Sequence, residues 1–125
     1  MSEWDELDAF GRLLMQDVRD RAIREMCGQL RDGGAGPLPD ELLQHVFPAD
    51  LPAVRNLVVK AVDQSIGNYL WLMYDMDNGD QRFAMFGQSG TSLASVSDGI
   101  HTEPWAAGGW IEKYSEFTMK EAGDA

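Results

Sequence analysis

Three side chains in the segment 98–103 carry groups that bind divalent metal ions. Asp98, His101 and Glu103 offer two carboxylates and one imidazole, which are common metal ligands in proteins. The other histidine, His45, lies far away in the sequence, and no His-x-x-x-His, paired-cysteine or EF-hand spacing is present. The sequence therefore predicts a polar turn here and no metal site. A small-ligand or metal-binding domain built on this segment is kept as an alternative function.

Three aspartates between residues 75 and 80 resemble the start of a calcium-binding loop. Asp75, Asp77 and Asp80 surround an Asn-Gly pair, and closely spaced acidic side chains are typical of EF-hand loops. A loop that begins at Asp75 needs a glutamate at its last position, where this chain has Phe86. The calcium pattern therefore fails, and we predict the solvated tip of a β-hairpin.

The residues that could act as nucleophiles lack the partners that such chemistry requires. Ser89 follows a glycine at 87, but residue 91 is threonine, so the Gly-x-Ser-x-Gly turn is absent. Cys27 is expected to be a small buried hydrophobic residue on a helix. No glycine-rich loop ends in Gly-Lys-Ser or Gly-Lys-Thr. We predict that the chain is not an enzyme and uses no cofactor.

The net charge of the chain indicates which classes of partner it repels and which it attracts. The chain has 21 Asp and Glu residues against 10 Lys and Arg residues, a formal net charge of -11. Phosphates of nucleic acids and anionic membrane surfaces are repelled by such a chain, whereas a basic protein is attracted. The sequence also shows neither the basic and apolar regions of a signal peptide nor an apolar run long enough to span a bilayer. With one cysteine and so no internal disulfide, it predicts a protein of the reducing cytoplasm.

Aromatic residues concentrate between residues 68 and 117, among the acidic ones. Two tryptophans, Trp105 and Trp110, flank the glycine-rich turn at 108–109. An exposed tryptophan beside carboxylates is typical of an energetic hot spot in a protein interface. The predicted partner-binding residues are Trp105, Trp110, Asp75, Asp77, Asp80, Asp98, Glu103 and Glu112.

The first element that positions these residues is a long amphipathic helix over residues 3–31. Ser2 is a suitable N-cap, and acidic residues fill the first turn. Glycines between residues 33 and 36 end the helix. Its apolar face recurs at steps of three and four, at Leu7, Phe10, Leu14, Val18, Ala22, Met26 and Leu30.

A short second helix is predicted from Pro39 to Phe47, and a third begins after Asp50 and ends near Gly67. Segment 69–76 is rich in aromatic residues and is predicted as a strand, paired through the Asn-Gly turn with a second strand over 81–87. A helix that runs on to Asp75, with Asn78-Gly79 as its C-cap, is the alternative.

After the loop at 88–92, Ser92 is predicted to cap a short helix, and 110–114 forms a strand or another short helix. One domain covers residues 1–125. The predicted fold class is α+β, mainly helical, in which the long N-terminal helix and two further helices pack with a small antiparallel hairpin.

The size, the acidity and the helix-plus-small-sheet pattern resemble immunity proteins that neutralise bacterial toxins and phage-encoded inhibitors of defence systems. Segment 97–101, followed by 109–115, is similar to a pattern in uncharacterised small bacterial proteins, some of them encoded near toxin genes. The resemblance transfers no binding residue. It implies an inhibitor that occludes the basic site of a nuclease or another cationic effector. A structural protein that self-associates through the first helix is a further alternative, and whether the chain is a monomer or a dimer stays open.

Overall fold

A computed structural model describes residues 2–78 and 84–117 of the chain. Its α-helices are α1 (Glu3–Leu13), α2 (Arg21–Asp32), α3 (Asp40–Gln44), α4 (Leu51–Asn78), α5 (Leu93–Val96) and α6 (Trp110–Tyr114). A π-helical segment, Leu14–Asp20, joins α1 to α2 without a break, and 3-10 turns cover Pro48–Asp50 and Ile100–Thr102. Within this described part of the chain, no helix has the length and hydropathy to cross a membrane.

The predicted β-hairpin is wrong, and with it the α+β class. Helix α4 continues through 69–76, and the two described stretches contain no strand, only an isolated bridge between Phe86 and Ser92. The other predicted strand, 81–87, lies partly outside the described residues. The helix prevails because its buried face repeats at helical spacing through this segment. That face consists of Val59, Asp63, Ile66, Leu70 and Met73.

The long first helix is confirmed, but its π-helical segment changes which residues are buried. The helix begins with a capping box, in which the Ser2 hydroxyl accepts from the Asp5 amide at 3.2 Å and the Asp5 carboxylate accepts from the Ser2 amide at 3.1 Å. The wider π turn rotates the helical face, so Val18 is exposed while Arg19 and Asp20 are buried. The observed buried face thus departs from the predicted apolar face at Val18 and holds two charged residues in its middle.

The core lies between the first helix and α4 and is closed by α5 and α6. Its main cluster includes Leu7 and Met15 from the first helix, Leu70 from α4 and Trp110 from α6. The Trp110 indole meets the Phe10 ring edge-on, with centroids 6.0 Å apart. A smaller cluster joins α2 and α4 and consists of Ile23, Cys27 and Val59.

A buried ion pair joins the first helix to α4 and to the segment after α6. Arg19 Nε donates to Asp63 Oδ1 at 2.7 Å, and Nη2 donates to Oδ2 at 3.3 Å. Arg19 Nη1 donates to the Ser115 hydroxyl at 2.8 Å and to the Phe117 carbonyl oxygen. Because these hydrogen bonds replace lost hydration, the charge is tolerated in the interior, and the position of Asp63 on α4 is fixed.

Candidate partner-binding surface

One flank of α4 presents two aromatic side chains outside its buried face. Trp71 and Tyr74 are three residues apart, so they are neighbours on the same side of a helix. Their rings meet edge-on, with centroids 5.6 Å apart. Trp71 is 49% exposed, and an exposed tryptophan is a candidate hot spot of a protein interface.

The 3-10 turn Ile100–Thr102 places the His101 ring against this pair. Its imidazole stacks on the Trp71 indole with centroids 3.8 Å apart and an interplanar angle of 29°. It also meets the Tyr74 ring at 4.6 Å. His101 Nδ1 is buried and has no hydrogen-bond partner among the described residues. The turn is therefore held to α4 by ring contacts, with Ile100 in the core beneath it.

Trp105 completes a group of four rings, which we call the aromatic cluster: the exposed indoles of Trp71 and Trp105 and the half-buried rings of Tyr74 and His101. The Trp105 Nε1–H donates to the His101 carbonyl oxygen at 2.9 Å, which fixes the direction of the indole. The ring extends over α4 at Gly67, where an added Cβ would lie 3.7 Å from Trp105 Cζ2. Trp105 remains 40% exposed.

A surface cleft of about 440 Å³ separates Trp105 from α4, and we call it the Trp71–Trp105 cleft. Asp63 forms part of its wall, where its carboxylate is bound by Arg19. Gln64 and Asn68 are joined by a hydrogen bond of 2.9 Å. The residues lining the cleft are Lys60, Asp63, Gln64, Gly67, Asn68, Trp71 and Trp105. Two indoles with a few polar groups are the usual lining of a recognition site.

The two predicted tryptophans have opposite environments. Trp105 is exposed in the aromatic cluster, whereas Trp110 is 1% exposed and packs in the core. The turn between them depends on Gly108, at φ 68°, and on Gly109, where an added Cβ would lie 2.8 Å from the Ala106 carbonyl oxygen. In this structure Trp110 is a core residue, so its indole cannot contact a partner directly.

The predicted acidic residues are dispersed. Asp75 and Asp98 are exposed. The Glu103 carboxylate accepts from the Ser97 hydroxyl at 2.6 Å, and the Glu112 carboxylate accepts from the Gly108 amide at 2.6 Å. The remaining two predicted partner-binding residues are not described by the structure: Asp80 lies outside the described residues, and so does the side chain of Asp77.

Neither a metal-binding group nor an activated cysteine is present in residues 2–78 and 84–117. No three side chains of His, Cys, Asp or Glu lie close enough there to hold a metal ion. Burial raises the pKa of the Cys27 thiol, which opposes formation of the reactive thiolate.

Sequence reasoning missed Trp71, Tyr74 and the stacking role of His101. The signal was present in the three-residue spacing of Trp71 and Tyr74, which has meaning only if 69–76 is helical. Arg19 was missed as well, because its place on the buried face depends on the π-helical segment.

No protein family matches this chain, and no curated protein or solved structure is found to be similar to it.

Proposed function

We propose that this protein is an acidic inhibitor of the immunity type, which binds and blocks a basic protein partner such as a toxin or nuclease effector. The observation that supports it is the exposed aromatic cluster on a chain with a net charge of -11. Aromatic side chains dominate the energy of protein interfaces, and excess negative charge favours encounter with a cationic surface.

The two features act on different steps of binding. Long-range attraction by the acidic residues raises the association rate, an effect that salt screens. Burial of Trp71 and Trp105 against the partner slows dissociation, because opening of the complex exposes their large aromatic surface to water again. Association should therefore depend on salt, and dissociation on the two indoles.

The test is affinity capture with the purified protein as bait in lysate of its source, followed by binding kinetics with the retained protein. Trp71→Ala and Trp105→Ala are each expected to weaken binding more than about thirtyfold, which corresponds to the hot-spot threshold of about 2 kcal/mol. Trp4→Ala is the matched control, because Trp4 is 54% exposed on α1 and lies outside the aromatic cluster. The captured partner must also lose its own activity when the complex forms.

Two results contradict the proposal. Binding that is equally strong in all three variants removes the role of the aromatic cluster. A retained partner that is acidic, or whose association rate is the same at low and high salt, removes the electrostatic part.

A small-ligand function is the second candidate, because the volume of the Trp71–Trp105 cleft is within the range of ligand pockets. A ligand that raises the melting temperature of the wild type but not of Trp71→Ala supports it. Self-association is the third, and the first helix directs its buried residues into the chain's own core. Sedimentation at micromolar concentration distinguishes a monomer from a dimer.

A further inference from the structure

We infer that the Trp71–Trp105 cleft receives an arginine side chain of the basic partner. The inference depends on the proposed inhibitor function and adds to it the chemical group that the cleft recognises. Two exposed indoles line a cleft whose wall also contains a carboxylate and two amides. A planar guanidinium is the cation that stacks on aromatic faces and forms directed hydrogen bonds at the same time.

Trp71 provides an aromatic surface on which a guanidinium can stack. One face of its indole is covered by the His101 ring at 3.8 Å, yet the side chain is 49% exposed and lines the cleft. The Trp71 position is fixed by His101 and Tyr74, so little side-chain entropy is lost when a guanidinium stacks on it. Trp105 is fixed through its hydrogen bond to the His101 carbonyl.

The polar part comes from the α4 residues along the cleft. The Asp63 carboxylate is held by Arg19, but each of its oxygens has a second lone pair directed elsewhere. Gln64 donates its amide to Asn68, which leaves the Gln64 carbonyl oxygen as an acceptor. Acceptors in this arrangement suit a group that has five N–H donors and no acceptor.

The charges around the cleft are mixed, and their signs give the sharpest test. Lys60 lines the cleft and opposes a cation, while Arg19 offsets the charge of Asp63 from within the core. If a guanidinium binds, removal of the Lys60 charge must strengthen binding; if an anion binds, it must weaken it.

The experiment is an NMR titration of the wild-type protein with N-acetyl-arginine amide. The Trp71 and Trp105 indole N–H resonances are expected to shift, while those of buried Trp110 and of Trp4 on α1 serve as internal controls. Lys60→Gln should lower the dissociation constant by about threefold, the repulsion of one partly screened charge. N-acetyl-citrulline amide, which has the same shape without the charge, should cause much smaller shifts.

Equal shifts with the citrulline compound, or weaker binding in Lys60→Gln, overturn the inference. Absence of shifts at Trp71 and Trp105 also overturns it. If partner capture still requires Trp71 in that case, the inhibitor proposal stands and only the arginine assignment fails. If Trp71→Leu, with unchanged melting temperature, abolishes the arginine shifts but leaves partner capture intact, the cleft binds arginine without being the partner site, and both proposals fail as stated.

Discussion

Replacement of Gly11 by alanine is expected to destabilise the protein, although alanine is the better helix former. Gly11 lies in α1 directly under the buried Trp110 indole. A Cβ built on Gly11 would lie 2.6 Å from Trp110 Nε1, closer than real Cβ contacts. Trp110 has little freedom to yield, because it is 1% exposed and its ring meets Phe10. The first helix therefore needs a residue without a side chain at this position.

The expected magnitude combines two opposing effects. Alanine gains about 1 kcal/mol over glycine inside a helix, and overpacking of a filled core costs about 1–3 kcal/mol. Gly11→Ala should thus lower the free energy of unfolding by about 0–2 kcal/mol. Gly28→Ala in α2 is the matched control, since its nearest new contact is the Arg31 guanidinium at 3.9 Å. That variant should gain up to about 1 kcal/mol.

Urea unfolding of the two variants, followed by circular dichroism, measures the difference, which should be about 1–3 kcal/mol. A double-mutant cycle with Trp110→Phe assigns it, because the smaller ring makes room for the new methyl group and the Gly11→Ala penalty should shrink. Trp110 Nε1 also has no hydrogen-bond partner among the described residues, so Trp110→Phe removes an unsatisfied donor. If Gly11→Ala stabilises the protein as much as Gly28→Ala does, the packing of Trp110 on α1 is refuted.

Three further perturbations test other parts of the structure. Arg19→Met should lower the free energy of unfolding in urea by about 3–5 kcal/mol, because it leaves the Asp63 carboxylate buried without its cation. Arg21→Met removes an exposed pair with Glu25 and should lower it by less than about 0.5 kcal/mol. Equal losses in the two variants would refute the buried pair. Hydrogen bonds from Ser89 lower the pKa of Glu6 below its ordinary value of 4.5, so the ionised carboxylate stabilises the fold above pH 4.5 and this contribution disappears as the pH falls through the lower folded pKa. Glu6→Gln should therefore be less stable than wild type at neutral pH and equally stable in strong acid. A difference in stability that persists in acid would contradict this. The Cys27 thiol, buried and with a raised pKa, should react with a disulfide reagent only in denaturant; rapid reaction in native buffer would show that α2 is not packed as described.

The sequence was sufficient to predict the long first helix because its N-cap, its acidic first turn and its terminating glycines agree with one another. It could not predict the π-helical segment, which no local residue type specifies. That segment rotates the helix by enough to exchange Val18 for Arg19 on the buried face. A charged residue is stable there because partners distant in sequence, Asp63, Ser115 and the Phe117 carbonyl, accept its hydrogen bonds. Information of that kind comes from tertiary structure.

The burial of Trp105 and Trp110 is also decided by tertiary structure. They flank the same glycine-rich turn, and their residue type alone does not distinguish the exposed indole from the buried one. The difference is that Trp110 begins α6 and packs on Gly11, whereas Trp105 precedes the turn and lies over Gly67. A glycine on the facing helix lies against each indole.

The error over 69–76 and the omission of Trp71 and Tyr74 have one physical cause. In a strand, residues three apart point to opposite faces, so a hairpin would have separated the two rings. In helix α4 the same spacing places them side by side, where the His101 ring stacks on Trp71 and meets Tyr74 edge-on. Aromatic residues favour strands when they fit a half-buried pleated surface; here the buried Ile66, Leu70 and Met73 stripe keeps the segment helical and leaves the rings outside. The aromatic cluster is thus a consequence of helix continuation.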